Sequence, residues 1–338
     1  MSETGQSRHL IGRRKFLQIL AFAGAAGGLY GYGLMRAESQ PQVVRQSRTL
    51  MGTQINLIVY GPDQDQCLQA TAATFNRMET LEQIFSRHQV NSALSQLNAQ
   101  GSLMEAPDAL LEVLGLADQI SRATEGAFDV SVLPLLQLYE KTRVPSAVEV
   151  AEVLPLVDYQ KIRREGPGIR LSAQGMAITL DGIAKGYIVD QGVAALRGAG
   201  FSNVYVEAGG DLMVSGAKPA DAPWRIGVQN PRPKSAQTMT VLELNTPLAV
   251  ATSGDYMQPF SEDLRNHHIL DPRKGFSPPE LASATVTAPS VALADGLATA
   301  SMVLGHQKAI ELLQQFAGCE GLFIDKQLNA YKTSGFQG

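Results

Sequence analysis

Asp295 and Thr299 stand four residues apart in an apolar segment, SVALADGLATASMVLG (290–305). A helix through this segment would place both side chains on one face. A carboxylate and a hydroxyl are hard oxygen ligands, which suit Mg²⁺ better than Zn²⁺. A bound cation would also offset the cost of placing a carboxylate at the margin of a core. The alternative is a surface aspartate beside a threonine that bonds to its own helix backbone.

A second segment, LDGIAKGYIVDQG (180–192), combines closely spaced glycines with a lysine. If a helix begins near Ile183, its free backbone N–H groups and the positive end of its dipole lie beside Lys185. The glycines let the backbone come close to a ligand, and the lysine adds a point charge. The pattern predicts an anion site. The alternative is an ordinary helix start that Asp181 caps, with the lysine in solvent.

Three further segments contain side chains that suit catalysis or ligand binding. In HHILDPRKGFSP (267–278), we expect a strand end before the Asp-Pro turn, where a histidine is either a general base or a hydrogen-bonded structural residue. In GAFDVSVLPLLQLY (126–139), Phe128 and Asp129 either face a flat ligand or serve as a core aromatic and a cap. Ser253, in ATSGDY, lacks the strand-to-helix elbow of a hydrolase nucleophile.

The elements that must position these residues follow from hydrophobic periodicity. Alternation of Ile55, Leu57 and Val59 predicts a strand, and a long helix with apolar residues at helical spacing follows it to about Phe85. Helices are also expected near 107–123, 290–304 and 308–316, and strands near 204–207, 212–214, 224–228, 239–244 and 321–325. Because helices and strands are mixed without regular alternation, we predict an α+β or a mixed two-layer α/β fold. The absence of G-x-G-x-x-G argues against the common dinucleotide-binding fold.

Charge is unevenly distributed along the chain. The net charge of the 338 residues is −4, and residues 1–37 carry five basic residues and one acid, which leaves −8 for the remainder. An acidic body argues against a nucleic-acid backbone as the partner. Arg13 and Arg14 precede Phe-Leu and a weakly apolar run rich in alanine and glycine, which indicates a twin-arginine export signal. An uncleaved membrane anchor is the alternative. We therefore divide the chain into a signal (1–37), a polar linker (38–47) and one domain (48–338).

Cys67 and Cys319 are the chain's two cysteines. Two are too few for a metal cluster or a disulfide framework. Two packed thiols are expected, and a single disulfide in an oxidising compartment is the alternative.

Eight ordered segments together resemble the ApbE family of FAD:protein FMN transferases, over about residues 45–330. They are MGT (51–53), FSRHQVNSALSQLN (85–98), GAFDVSVLPL (126–135), LDGIAKGYIVD (180–190), VYVEAGGDLMVSG (204–216), ATSGDY (251–256), HHILDPRKG (267–275) and ADGLATASMVLG (294–305). The resemblance implies a two-lobed unit with antiparallel or mixed sheets flanked by helices. It also implies that the protein binds FAD with Mg²⁺, moves FMN onto a threonine hydroxyl of a partner protein and releases AMP.

The resemblance implies roles for individual residues. Those that match FAD-contacting positions are Met51, His88, Ala127, Phe128, Asp129, Asp181, Lys185 and Ile269. Those that match metal-binding positions are the Gly182 carbonyl, Asp295, Thr299 and the backbone at Ala298. Lys185 would face the pyrophosphate, and His268 matches a histidine that would act as the base for the acceptor threonine.

The chain departs from the family pattern at three places. The usual DLGGIAKG is TLDGIAKG here, so that Thr179 replaces the customary acid and Asp181 follows two positions on. Asp181 either takes over the flavin contact or that contact is lost. His88 stands where an aromatic residue, usually tyrosine, is expected, and after PLLQLY a Gly-Phe-Gly run is replaced by EKTRVPS (140–146).

Three functions are consistent with these patterns. The first is a periplasmic flavin transferase that acts on membrane-anchored electron-transfer proteins. The second is a Mg²⁺-dependent FAD pyrophosphatase, in which water replaces the threonine hydroxyl. The third is a non-catalytic flavin donor that matures a respiratory complex such as nitrous-oxide reductase.

Overall fold

The computed structural model describes residues 41–232 and 238–338 of the chain. The export signal predicted at 1–37 lies outside these residues. Within them, no helix combines the length and apolar character needed to cross a bilayer. Cys67 and Cys319 are both buried and both free, which agrees with the expectation of two packed thiols rather than a disulfide.

Helices and strands follow one another irregularly, as predicted. The helices are α1 (Gln64–Phe85), α2 (Ala93–Gln100), α3 (Asp108–Ala123), α4 (Leu133–Thr142), α5 (Ala147–Val153), α6 (Ala184–Gly198), α7 (Val291–Leu304) and α8 (His306–Leu313). The strands are β1 (Gln42–Leu50), β2 (Thr53–Gly61), β3 (Ser102–Leu103), β4 (Ile162–Glu165), β5 (Gly168–Leu171), β6 (Asn203–Ala208), β7 (Asp211–Ser215), β8 (Trp224–Gln229), β9 (Thr238–Leu244), β10 (Leu248–Gly254), β11 (Leu281–Ala288), β12 (Glu320–Asp325) and β13 (Ala330–Lys332).

An eight-stranded sheet in the order β1-β2-β6-β7-β10-β11-β12-β13 forms the centre of the fold. All of its strand pairs are antiparallel. Smaller antiparallel sheets are formed by β3-β5-β4 and by β8-β9. The expected α+β fold with helix-flanked sheets is therefore confirmed, and the sheets are antiparallel rather than mixed.

The central sheet has apolar layers on both faces, and its strands β7 and β11 are buried along their whole length. On one face, side chains of α1, α6 and α7 share a large core with Ile55, Leu57 and Val59 of β2. On the other face, Trp224 and other residues of the β8-β9 hairpin pack against β7, β10 and β12. All eight residues of β11 are buried. The period of two in β2 thus corresponds to one helix-covered face, as the sequence predicts.

Two local predictions are wrong. Residues 38–47 were predicted as a linker, but residues 42–47 belong to β1, whose whole length pairs with β2. The error arises because β1 is an exposed edge strand that carries charged and polar residues, as edge strands often do. The histidine pair at 267–268 does not end a strand, but lies in the long loop between β10 and β11.

Candidate active site

The start of α6 and the first turns of α7 meet, as the sequence patterns require. The backbone N–H of Gly186 donates to Asp295 Oδ2 at 3.1 Å. A Cβ atom on Gly182 would lie 3.0 Å from Thr299 Oγ1, so the loop before α6 reaches the second predicted ligand as well. Among the described residues no side chain caps α6, so the alternative in which Asp181 is its cap is wrong. The loop predicted to bind an anion therefore lies against the helix predicted to bind a cation.

A buried carboxylate and two hydroxyl groups lie at this junction. Asp295 is only 5% exposed, so the surface alternative for this residue is wrong. Burial raises the pKa of its carboxyl, while the charge of Lys185 and the Gly186 N–H oppose that rise. The Thr299 hydroxyl lies 3.2 Å from that of Ser253. Within the described residues, no three His, Cys, Asp or Glu side chains gather as a metal cluster.

These donors fit Mg²⁺. One buried carboxylate and two hydroxyls make a hard oxygen set, which suits Mg²⁺ when substrate phosphates and water complete the coordination. The contribution of the Gly182 carbonyl stays a prediction. Zn²⁺ normally takes nitrogen and sulfur ligands, which this junction does not supply. Ala298 is buried on α7 between the two ligand side chains, and its predicted backbone contact stays a prediction.

Lys185 forms an ion pair with Asp211, at the start of β7. The side chain of Asp211 is 1% exposed, and its Oδ1 accepts a hydrogen bond from the Thr252 N–H at 3.2 Å. Its Oδ2 has no hydrogen-bond partner within the described part of the chain, apart from the contact with the lysine. Lys185 is therefore held at the site by a buried counter-charge. Sequence reasoning missed Asp211, although an acid directly after Gly-Gly at the start of an apolar strand is a usable signal.

His268 lies in the loop that precedes β11. Burial lowers its pKa to about 4, although the negative charge of Asp181 acts in the opposite direction. Its Nδ1 is buried and has no hydrogen-bond partner in the described residues, while its backbone N–H donates to the Gln258 carbonyl at 3.1 Å. A neutral imidazole with a free ring nitrogen can accept a proton. The neighbouring His267 is fully buried, and burial lowers its pKa to about 3.

The residues predicted to contact the flavin fall into two groups. Phe128 belongs to the junction, because its ring carbon Cε2 lies 3.5 Å from the Cβ position of Gly182. Asp129 is buried and accepts hydrogen bonds from Ser131 and from the Tyr159 N–H, so its carboxylate serves as a structural cap. Ala127 and Ile269 are buried as well.

For the other residues predicted to contact the flavin, the structure describes no hydrogen bond to the residues of the α6–α7 junction. Met51 has a φ of 53° in the β1–β2 turn, and its N–H donates to Glu82 Oε1 at 2.9 Å. His88 is exposed in the α1–α2 loop. Asp181 binds Arg87, a residue to which sequence reasoning gave no role. The flavin contacts of these residues stay predictions.

Comparison with known proteins gives consistent matches. Residues 51–323 match the model of the ApbE family. The chain is 29% identical over 328 residues to the FAD:protein FMN transferase of Treponema pallidum, with 89% of this chain and 90% of that protein covered. It is 30% identical over 329 residues to the FAD:protein FMN transferase of Haemophilus influenzae, with 88% and 93% covered.

Solved structures agree with this result. The flavin transferase ApbE from Vibrio cholerae superposes with a TM-score of 0.78 at 27% identity, covering 88% of this chain and 98% of that one. The ApbE protein from Thermotoga maritima superposes with a TM-score of 0.78 at 28% identity, covering 87% and 97%. The similarity therefore extends through the sheet and helices that form the α6–α7 junction.

Proposed function

The chain belongs to the ApbE family, and from this premise we propose that it is an FAD:protein FMN transferase. It would take FAD as substrate, transfer the FMN half to a threonine hydroxyl of a partner protein and release AMP. The observation that supports this most strongly is the junction itself. An uncapped helix start with Lys185 lies against the buried carboxylate of Asp295 and the hydroxyl of Thr299.

Each part of the junction has a task in pyrophosphate cleavage. Splitting a diphosphate requires neutralisation of charge on its oxygens and placement of the nucleophile in line. The ammonium of Lys185 and the positive end of the α6 dipole would supply positive charge on one side. Asp295, Thr299 and the Gly182 carbonyl would hold Mg²⁺, which supplies further neutralisation of phosphate charge when bound. Asp211 keeps Lys185 in place while the site is empty of anion.

His268 would act as the general base for the acceptor hydroxyl. Because burial lowers its pKa to about 4, the imidazole is neutral at physiological pH. As a neutral imidazole, its side chain could take the proton of a hydroxyl group that approaches the phosphorus. General-base assistance of this kind typically contributes about 10²–10⁴-fold to a rate.

The cellular setting forms part of the same proposal. Arg13 and Arg14 support export of the folded protein by the twin-arginine pathway to the periplasm, with the signal either cleaved or kept as an inner-membrane anchor. The acceptors would then be periplasmic proteins of membrane-bound electron-transfer complexes. Export to the periplasm and retention of the signal in the inner membrane can both be tested by fractionation of cells that express the full chain.

The transferase activity can be tested with full-length protein, FAD, Mg²⁺ and a candidate acceptor domain. We expect AMP and a covalently fluorescent acceptor in equal amounts, with the mass increment of FMN on a threonine. Asp295→Asn should lower the rate at least about 100-fold, because it removes the buried charge that binds the metal. Asp118→Asn is the matched control, since Asp118 is an exposed α3 carboxylate that pairs only with Arg122.

Two outcomes would contradict the proposal. Release of FMN and AMP without any adduct on several acceptors would make the protein a Mg²⁺-dependent FAD pyrophosphatase. No AMP at all, together with acceptor maturation that survives Asp295→Asn, would make it a non-catalytic flavin donor.

A further inference from the structure

Arg87 binds two carboxylates from distant parts of the chain. Its Nε donates to Asp181 Oδ2 at 2.8 Å, and its Nη2 donates to Glu140 Oε1 at 2.7 Å. Its side chain is only 12% exposed, whereas those of Asp181 and Glu140 are 53% and 41% exposed. The guanidinium therefore lies at the centre of the cluster, beneath the two acids. We call these three residues the Arg87 cluster.

The two acids of the cluster coincide with two of the departures from the family pattern. Asp181 stands where the motif before α6 usually has glycine, and Glu140 begins the EKTRVPS segment that replaces Gly-Phe-Gly. Arg87 lies in the α1–α2 loop, next to His88, the third departure. Independent surface changes would have no reason to meet at one guanidinium. Their contact indicates that the Arg87 ion pairs form one structural unit, which joins the α1–α2 loop, the end of α4 and the loop before α6.

Asp181 connects the Arg87 cluster to the α6–α7 junction. Asp181 directly precedes Gly182, whose backbone faces Thr299. The negative charge of Asp181 acts to raise the pKa of His268, against the larger effect of burial, so its field reaches the proton-accepting part of the site. A carboxylate in this place repels a pyrophosphate unless a cation compensates it. Arg87 is the described cation that binds it directly.

We propose that Arg87 is a positioning residue that sets the affinity for FAD. It offsets the charge of Asp181 beside the pyrophosphate site, and its bond to Glu140 keeps the guanidinium in the place where it does so. This inference rests on the proposed function, because it concerns the same dinucleotide. Arg87 acts through Asp181 and makes no contact with FAD of its own.

The test measures FAD binding by stopped-flow flavin anisotropy with Mg²⁺ and without acceptor, before turnover. Arg87→Gln should raise the Kd about tenfold, because the exposed Asp181 carboxylate loses its charge-assisted partner and then repels the pyrophosphate beside it. Adding Asp181→Asn to this variant should return the Kd to within about twofold of the original value, since the repelling charge is gone. In transfer assays, KM should follow the Kd while kcat changes less than about twofold.

Three controls keep the test independent of folding. Arg170→Gln removes an exposed ion pair of the same 2.8 Å length, with Glu165, and should leave the Kd unchanged. Arg87→Lys retains the positive charge but cannot donate to both carboxylates as the planar guanidinium does, so it should give an intermediate Kd. Glu140→Gln should raise the Kd only about twofold to threefold, because Arg87 still compensates Asp181.

The possible results separate cleanly. A Kd that Arg87→Gln leaves unchanged would overturn the inference. A raised Kd that Asp181→Asn does not rescue would also overturn it, since Arg87 would then contact the ligand itself. Failure of the unaltered protein to bind FAD would instead refute the proposed function.

Discussion

Gly186→Ala tests whether the close approach of α6 and α7 creates the site. A Cβ at this position would lie 2.5 Å from the Val291 carbonyl oxygen and 2.7 Å from the Ala292 nitrogen. Both are backbone atoms, so α7 must retreat by about 1 Å to reach ordinary contact distance. Asp190 of α6 accepts hydrogen bonds from the N–H groups of Val291 and Ala292 at 2.8 and 2.9 Å, and these bonds would stretch as well.

The expected change in the free energy of unfolding is the sum of two destabilising contributions and one stabilising contribution. Overpacking costs about 1–3 kcal/mol, and weakening hydrogen bonds to two carboxylates adds about 1–3 kcal/mol. Replacing glycine by alanine in a helix returns about 1 kcal/mol. We expect a net loss of about 1–5 kcal/mol, which corresponds to a fall of about 2–8 °C in Tm for a chain of this size. Because a shift of about 1 Å can cost about 100-fold in rate, transfer activity should fall more than about tenfold.

Gly198→Ala is the matched control on the same helix. A Cβ on Gly198 meets nothing within 4 Å, so this change should leave the Tm unaltered or raise it slightly. Thermal unfolding and the transfer assay are measured for both variants. If Gly186→Ala behaved like Gly198→Ala in both measurements, the backbone contact between α6 and α7 would not be what builds the site.

Two further predictions concern the histidine pair. His268→Gln should lower the transfer rate about 10²–10⁴-fold while FAD affinity stays within about twofold, because a base acts on the acceptor rather than on the dinucleotide. Burial lowers the pKa of His268 to about 4, so the acid limb of the pH–rate profile that depends on this residue should lie near pH 4. An acid limb near pH 6.5 that disappears in His268→Gln would contradict this buried, neutral state. Burial lowers the pKa of His267 to about 3, so below pH 6.5 the unfolded chain takes up a proton that the folded protein does not. The free energy of unfolding, measured by urea denaturation, should therefore fall as pH is lowered from 6.5 towards 3, and His267→Gln should reduce this slope; an unchanged slope would show that His267 is not the cause.

Local periodicity predicted several elements of this fold, whereas it gave no signal for α2, α4 or β11. The alternation in β2 and the spacing of Asp295 and Thr299 on α7 both follow from the pleat and the helical turn, which sequence neighbours determine. The start of α6 at Ala184 lies one residue from its predicted position. These features depend on residues close together in the chain, so a single sequence is sufficient to find them.

Features that depend on distant residues were not found in this way. Asp211 acquires its importance from Lys185, and Arg87 from Asp181 and Glu140, which neither periodicity nor spacing connects. β1 was missed because its strand character comes from pairing with β2 along one edge and not from an apolar face of its own. Burial of the histidine loop likewise depends on the surrounding tertiary structure.

The order of the strands in the central sheet has a consequence for biosynthesis. β2 must wait for β6, and the start of α6 acquires its oxygen donors only when α7 has been made. A nascent chain that ends before α7 would contain most strands of the central sheet but would lack Asp295 and Thr299, the proposed metal ligands. Binding of FAD at this junction therefore requires a chain that has been synthesised at least through α7.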